Sequence, residues 1–176
     1  MARLRSSVST GGNEMATKAK SAIPEGYHSV TPYLIVKGAA KAIEWYARAL
    51  GANELYRMDG PGGSIVHAEI QIGDSRVMLA DESPEMGATA PGSLGGTPVG
   101  LMLYVTDVDA VFARAVKEGA KQERPVADQF YGDRMGSMVD PFGHKWTIGT
   151  HVEDVSPEEM EARHREFMAK MGQGKK

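Results

Sequence analysis

The chain has 176 residues, with 20 Lys and Arg against 23 Asp and Glu, a net charge of -3, and no cysteine. The missing thiols exclude a cysteine nucleophile, a disulfide scaffold and a thiolate metal site. The near-balance of charge offers no footprint for nucleic acid or an anionic membrane surface, and no run of about 18 apolar residues is present to span a bilayer.

The length suits one domain or two fused half-domains, and the expected location is the cytoplasm. Residues 1–26, "MARLRSSVSTGGNEMATKAKSAIPEG", are small, polar and basic with little periodicity, and read as a disordered tail with a second methionine, Met15, inside it. The folded part opens at "YHSVTPYLIV", an extended run ending at Val36. In "KGAAKAIEWYARALGA", Ala39, Ile43, Tyr46, Ala47 and Leu50 recur at helical spacing, and Gly51 stops the helix. "NELYRM" is a short strand, "DGPGG" a turn, "SIVHAEIQI" an alternating strand, and "GDS" turns the chain into "RVMLADE".

A Gly/Pro/Ser-rich linker spans residues 83–98, after which the pattern restarts. "VGLMLYV" is a strand ending at Val105. Asp107 caps a helix whose apolar stripe is Val108, Val111, Phe112, Ala115 and Val116, and Gly119 stops it. "KQERPVADQFYG", "DRMGSMVD" and "HKWTIGTH" supply three more extended segments. Val36 and Val105 end matching strands 69 positions apart, so the chain repeats one βαβββ unit. Neither unit can bury its sheet face alone, so the two pack as a pseudo-twofold pair. The last helix opens with a capping box at Ser156, Pro157 and Glu159. Met160, His164, Phe167, Met168 and Met171 give it one apolar face, for packing on the domain or on a second subunit. The expected layout is a domain over 27–152 (module 1 at 27–82, linker 83–98, module 2 at 99–152), then a C-terminal helix and tail over 153–176.

Together, "YLIV…AIEWYARALGA", "HAEIQIGDSRVMLAD", "FYGDR" and "DPFGHKWTI" resemble the vicinal oxygen chelate superfamily of glyoxalases, bleomycin-resistance proteins and dioxygenases, and within it the PhnB-like branch. The resemblance covers about residues 28–151. It implies an α+β fold of two tandem modules making a cupped mixed sheet with the helices outside, commonly in a homodimer. In metal-dependent members the ligands are inward-facing His, Gln or Glu on four strands. The corresponding positions here are Thr31, Gly100, Thr147 and, on the fourth strand, Met78 or Leu79. Neutral hydroxyls, a glycine and a thioether or alkyl group do not make a divalent site, so no metal or other cofactor is expected. A divalent metal held in a shifted site is the alternative.

Alternation puts Thr147, Gly149 and His151 on the cavity face of the last strand, and His144 at its turn. His67 and Glu69 stand at i and i+2, facing together. They are either an acid/base pair in the cup or part of a solvated strand face. Further cavity candidates are Thr31 and Tyr33, Met102 and Tyr104, and the group Phe130, Tyr131, Asp133 and Arg134, in which an Asp–Arg pair beside aromatics suits either a polar, planar ligand or a turn salt bridge. Met78, Met102, Met135 and Met138 can line the cup or fill the core. Three functions fit: metal-free binding of a small, partly aromatic or hydrophobic molecule; a lyase, isomerase or dioxygenase of the glyoxalase kind using His67 and Glu69; and a dimeric interaction module using the last helix.

Overall fold

Helix α1 (Ala39–Leu50) shows how the modules assemble. It buries Ala39, Ala42, Ile43, Trp45, Tyr46, Ala49 and Leu50. The buried arc is wider than the expected stripe and passes over Ala47, which is exposed. Its N-terminus has no local cap, because Gly38 has no side chain; instead Asp81 Oδ1 accepts from the Gly38 and Ala39 N–H groups at 2.8 Å each. In the second module helix α3 (Val108–Lys117) is capped locally by Asp107, whose carboxylate accepts from Ala110 N. Thr150, 69 positions after Asp81, also accepts there, from Val108 N at 3.0 Å. Val116, expected on the buried stripe of α3, is exposed.

The computed structural model describes residues 17–173, so the first 16 residues of the expected tail and the last three residues lie outside the described part. Module 1 comprises β1 (Tyr33–Val36), α1, β2 (Asn53–Asp59), β3 (Ile65–Ile72) and β4 (Ser75–Asp81). Module 2 comprises β5 (Gly100–Tyr104), α3, β6 (Lys121–Asp128), β7 (Asp133–Val139) and β8 (Lys145–His151). The linker holds a one-turn helix, α2 (Pro91–Leu94), and α4 (Pro157–Gln173) follows the domain. The extended run before Val36 is strand only in its last four residues.

The eight strands make two mixed sheets, ordered β1-β4-β3-β2 and β5-β8-β7-β6. In each, the first pair is parallel and the others antiparallel. Pro125 sits on β6, an edge strand, where its missing N–H breaks no ladder bond. The architecture is the expected α+β one: paired βαβββ units with helices on one face of each sheet, plus a C-terminal helix. No helix among the described residues is long and apolar enough to cross a membrane.

The modules join on the helix side. α1 packs on α3, where Trp45 Nε1 donates to the Glu118 carbonyl at 2.8 Å and Arg114 Nε to the Ala49 carbonyl at 2.9 Å. Beneath them lies Asp140, only 4% exposed. Its Oδ2 accepts from the Tyr46 hydroxyl at 2.7 Å and from Trp146 Nε1 at 2.9 Å; its Oδ1 accepts from the Phe142 and His144 backbone N–H groups at 2.9 Å each. Burial, with the Asp140 charge adding, pushes the Tyr46 hydroxyl pKa well above its usual value. His144 is a turn residue, and its Nε2 also reaches the Ile35 carbonyl of β1 at 3.1 Å. One core thus serves both modules, and the opposite face of each sheet is left open.

Candidate functional site

Strand register assigns the open-face residues. In module 1 one row crosses the sheet through Tyr56, Glu69, Met78 and Tyr33. The equivalent row of module 2 runs through Arg124, Ser137, Thr147 and Met102. Tyr33 and Met102 are 69 positions apart, as are their partners Met78 and Thr147, so the sequence repeat holds residue for residue in β1/β5 and β4/β8. Met78 is therefore the counterpart of Thr147, and Leu79 belongs to the buried core.

This register completes the metal test. The four positions implied by the family pattern carry Thr31, Met78, Gly100 and Thr147. Two hydroxyls, a thioether and a glycine provide neither the charge nor the imidazole donors that hold a divalent ion in water. Among the described residues no cluster of three or more His, Asp or Glu side chains is placed to hold a metal ion elsewhere. The residues present do not fit the group.

On module 1, a chain of polar contacts runs along the open face. The Tyr33 hydroxyl lies 3.1 Å from His67 Nδ1, His67 Nε2 lies 3.4 Å from Glu69 Oε1, and Arg76 donates to Glu69 Oε2 at 3.2 Å. Arg76 also lies over the Tyr27 ring, 4.4 Å from its centroid. The Glu69 carboxyl is held below its usual pKa first by the Tyr27 hydroxyl, and then, against the effect of burial, by His67 and Arg76. Burial raises the Tyr33 hydroxyl. His67 and Glu69 thus face together, each about a fifth to a quarter exposed. Val66, expected on the apolar face, is 48% exposed: the β2–β3 register shifts between Met58 and Asp59, and alternation breaks there.

Module 2 holds a cavity of about 380 Å³ against its open face, lined among others by Arg124, Tyr131, Met135, Ser137, Lys145 and Thr147. The Tyr131 hydroxyl donates to Met135 Sδ at 3.0 Å; burial raises its pKa, with Asp133 adding and Arg124 opposing. A second cavity of about 650 Å³ lies along the exposed edge of β5 and the start of β4, and there Thr31, Met102 and Tyr104 come together. The Met102 methyl lies over Gly149, where a β-carbon would come within 2.8 Å of it and push the methionine aside.

His151 closes the far end of β8. Its Nδ1 lies 2.8 Å from buried Asp133, its Nε2 3.0 Å from Asp154, and the Tyr104 hydroxyl donates to the other Asp133 oxygen at 2.8 Å. Asp154 first, then Asp133, raise the His151 pKa above 6.5. Asp133 and Arg134 do not pair with each other, because neighbours on a strand point to opposite faces. Arg134 lies on the helix side, where Asp109 and Asp128 bind it at 2.8 and 3.0 Å. Phe130 stacks on Phe167 of α4, with ring centroids 5.0 Å apart and His164 nearby at 5.8 Å. Arg134 and Phe130 therefore stand apart from the cavity that Tyr131 and Thr147 line. Met138 is fully buried and belongs to the core. Sequence reasoning missed Tyr27, Arg76, Arg124 and Ser137. The last could have been found by extending the alternation of Thr147 across one strand.

The sequence pattern of the Glyoxalase/Bleomycin resistance protein/Dioxygenase superfamily matches residues 26–148. An uncharacterized protein of Mycobacterium bovis is 45% identical over 137 residues, covering 76% of this chain and 90% of that one. Among solved structures, TioX from Micromonospora sp. ML1 is 28% identical with a TM-score of 0.57, over 70% of this chain and 98% of that one. A PhnB protein from Bacillus cereus, described as a putative 3-demethylubiquinone-9 3-methyltransferase, shares the fold at 18% identity and a TM-score of 0.54, over 70% and 99% of the two chains. Its fold, its repeat and this sequence match together show that the chain belongs to the Glyoxalase/Bleomycin resistance protein/Dioxygenase superfamily.

Proposed function

We propose that this protein binds a small, partly aromatic or hydrophobic molecule against its open sheet faces, without the metal that metal-dependent members of the superfamily use. The observation that supports this reading is that Thr31, Met78, Gly100 and Thr147 fill the four positions the family pattern gives to metal ligands, with the strand pairing making Met78 the counterpart of Thr147. A cavity of about 380 Å³ falls within the size range of small-molecule sites. Elsewhere on the open faces, Tyr33, Tyr56 and Met58 of module 1 and Met102 and Tyr104 of module 2 are exposed and offer aromatic and thioether surface that water solvates poorly. The same exposed faces support a homodimer in which one face covers another, and we place the chain in the PhnB-like branch and in the cytoplasm. Metal analysis tests the reading. After incubation with Ni, Zn, Mn or Fe(II) salts and gel filtration, the protein is expected to retain far less than one metal per chain; one tightly held metal per chain overturns it.

A second reading rests on the Tyr33–His67–Glu69–Arg76 chain. Glu69 orients one imidazole nitrogen and a phenol the other, an arrangement suited to moving a proton on a bound substrate. It predicts a turnover that His67→Ala abolishes while the metal content of the protein stays unchanged.

A further inference from the structure

We propose that the open face of module 2 carries an anion subsite, so that the ligand is an aromatic or heteroaromatic acid. This deepens the small-molecule reading and rests on it. The row Arg124, Ser137, Thr147, Met102 crosses all four strands of the sheet, and its first three members line the 380 Å³ cavity.

Each of these three has spare binding capacity. Among the described residues Arg124 makes neither an ion pair nor a side-chain hydrogen bond; Arg48, Arg57, Arg76, Arg134, Arg163 and Arg165 are ion-paired, and Arg114 is held by the Ala49 carbonyl. The Ser137 and Thr147 side chains make no hydrogen bond to another described residue, yet both hydroxyls stay in contact with the cavity, since no buried side-chain atom is left unpartnered. A guanidinium beside two free hydroxyl donors matches a carboxylate, with its planar pair of acceptor oxygens. Lys145 adds a second cation at the same cavity. Its only carboxylate neighbour among the described residues is Glu123, at a loose 3.8 Å. The cavity charge is thus two cations against one carboxylate, a net attraction for an acid. The walls include the Tyr131 and Met135 side chains, which fit a flat apolar body.

The equivalent row of module 1 makes the contrast. Tyr56 stands where Arg124 does and Glu69 where Ser137 does. A carboxylate placed there would face Glu69, whose charge repels it. The two halves of the repeat have therefore diverged in sign, and the acid belongs to module 2.

Calorimetric titration of the full-length protein with 1-naphthoate and with 1-naphthalenemethanol tests the proposal, since the two probes share a ring system and differ in charge. The acid is expected to bind about tenfold or more tighter than the alcohol, as a charge-assisted hydrogen bond provides. In Arg124→Gln, whose site is exposed, the preference for the acid should shrink several-fold, with Lys145 holding what remains. Glu123→Gln frees Lys145 and should tighten the acid further. Equal binding of both probes to the unmodified protein overturns the anion subsite and leaves the small-molecule reading standing, as does a preference that Arg124→Gln leaves unchanged. Binding of neither probe overturns both.

Discussion

Asp140→Ala is expected to loosen the joint between the modules. Four donors converge on this carboxylate: the Tyr46 hydroxyl, Trp146 Nε1 and two turn N–H groups. Alanine leaves all four without their acceptor. The turn N–H groups can recover water as the loop relaxes, but Tyr46 is fully buried and Trp146 is 4% exposed. A buried donor left unpaired costs about 1–3 kcal/mol, so the two side chains together cost about 2–6 kcal/mol. Removing a buried charge returns part of its desolvation cost, which puts the net loss near 3 kcal/mol. For a domain of this size that is a fall in Tm of roughly 10 °C. Tyr46→Phe removes one donor and leaves Asp140 three, so it should cost only about 1 kcal/mol. In the double variant Tyr46 no longer leaves an orphaned hydroxyl, and the combined loss should fall short of the sum of the two single losses by about 1 kcal/mol. Urea unfolding followed by tryptophan fluorescence reads all three, since Trp146 sits in the joint. A loss below about 1 kcal/mol for Asp140→Ala, or strict additivity in the double variant, would refute the claim that this carboxylate holds the modules together.

Two further outcomes follow from the far end of β8. His151 has its folded pKa raised above the unfolded value of 6.5, so the stability it contributes is fully present below about pH 6.5 and is lost as pH rises through the folded value. The urea midpoint of the unmodified protein should therefore fall relative to that of His151→Gln between pH 6 and pH 8.5; parallel curves would remove His151 from the linkage. Gly132 holds φ +94, and a β-carbon there would run into the Glu153 carbonyl. Its own carbonyl accepts from the Val152 and Glu153 N–H groups. Gly132→Ala should cost about 2 kcal/mol or more and open residues 152–156 to limited proteolysis, whereas an unchanged cleavage pattern would show that the segment is held by other contacts.

What the sequence made legible was whatever has a short period. Helical spacing located α1 and α3, alternation put Tyr33 and the pair His67–Glu69 on open faces, and the 69-residue repeat carried over unchanged into the pairing of β1 with β4 and of β5 with β8. Legibility ended where the ladder is irregular or the partner is distant in the chain. Arg124 lies between two register shifts on β6, so counting by twos cannot place it on either face. The Phe130 stack depends on α4, 37 residues further along. Asp140 lies in the most recognisable motif of the chain, yet its partner Tyr46 is 94 residues away. The Asp133–Arg134 pair, adjacent in sequence, splits because a strand separates neighbours.

Binding without metal can be read directly from backbone amide NMR shifts of EDTA-treated protein titrated with 1-naphthalenemethanol. A metal-free cavity on module 2 predicts saturable shifts clustered at Tyr131, Met135, Ser137 and Thr147, unchanged when Ni or Zn is added back. Shifts that appear only after a metal is restored would contradict it, as would shifts confined to the helix side of the sheet.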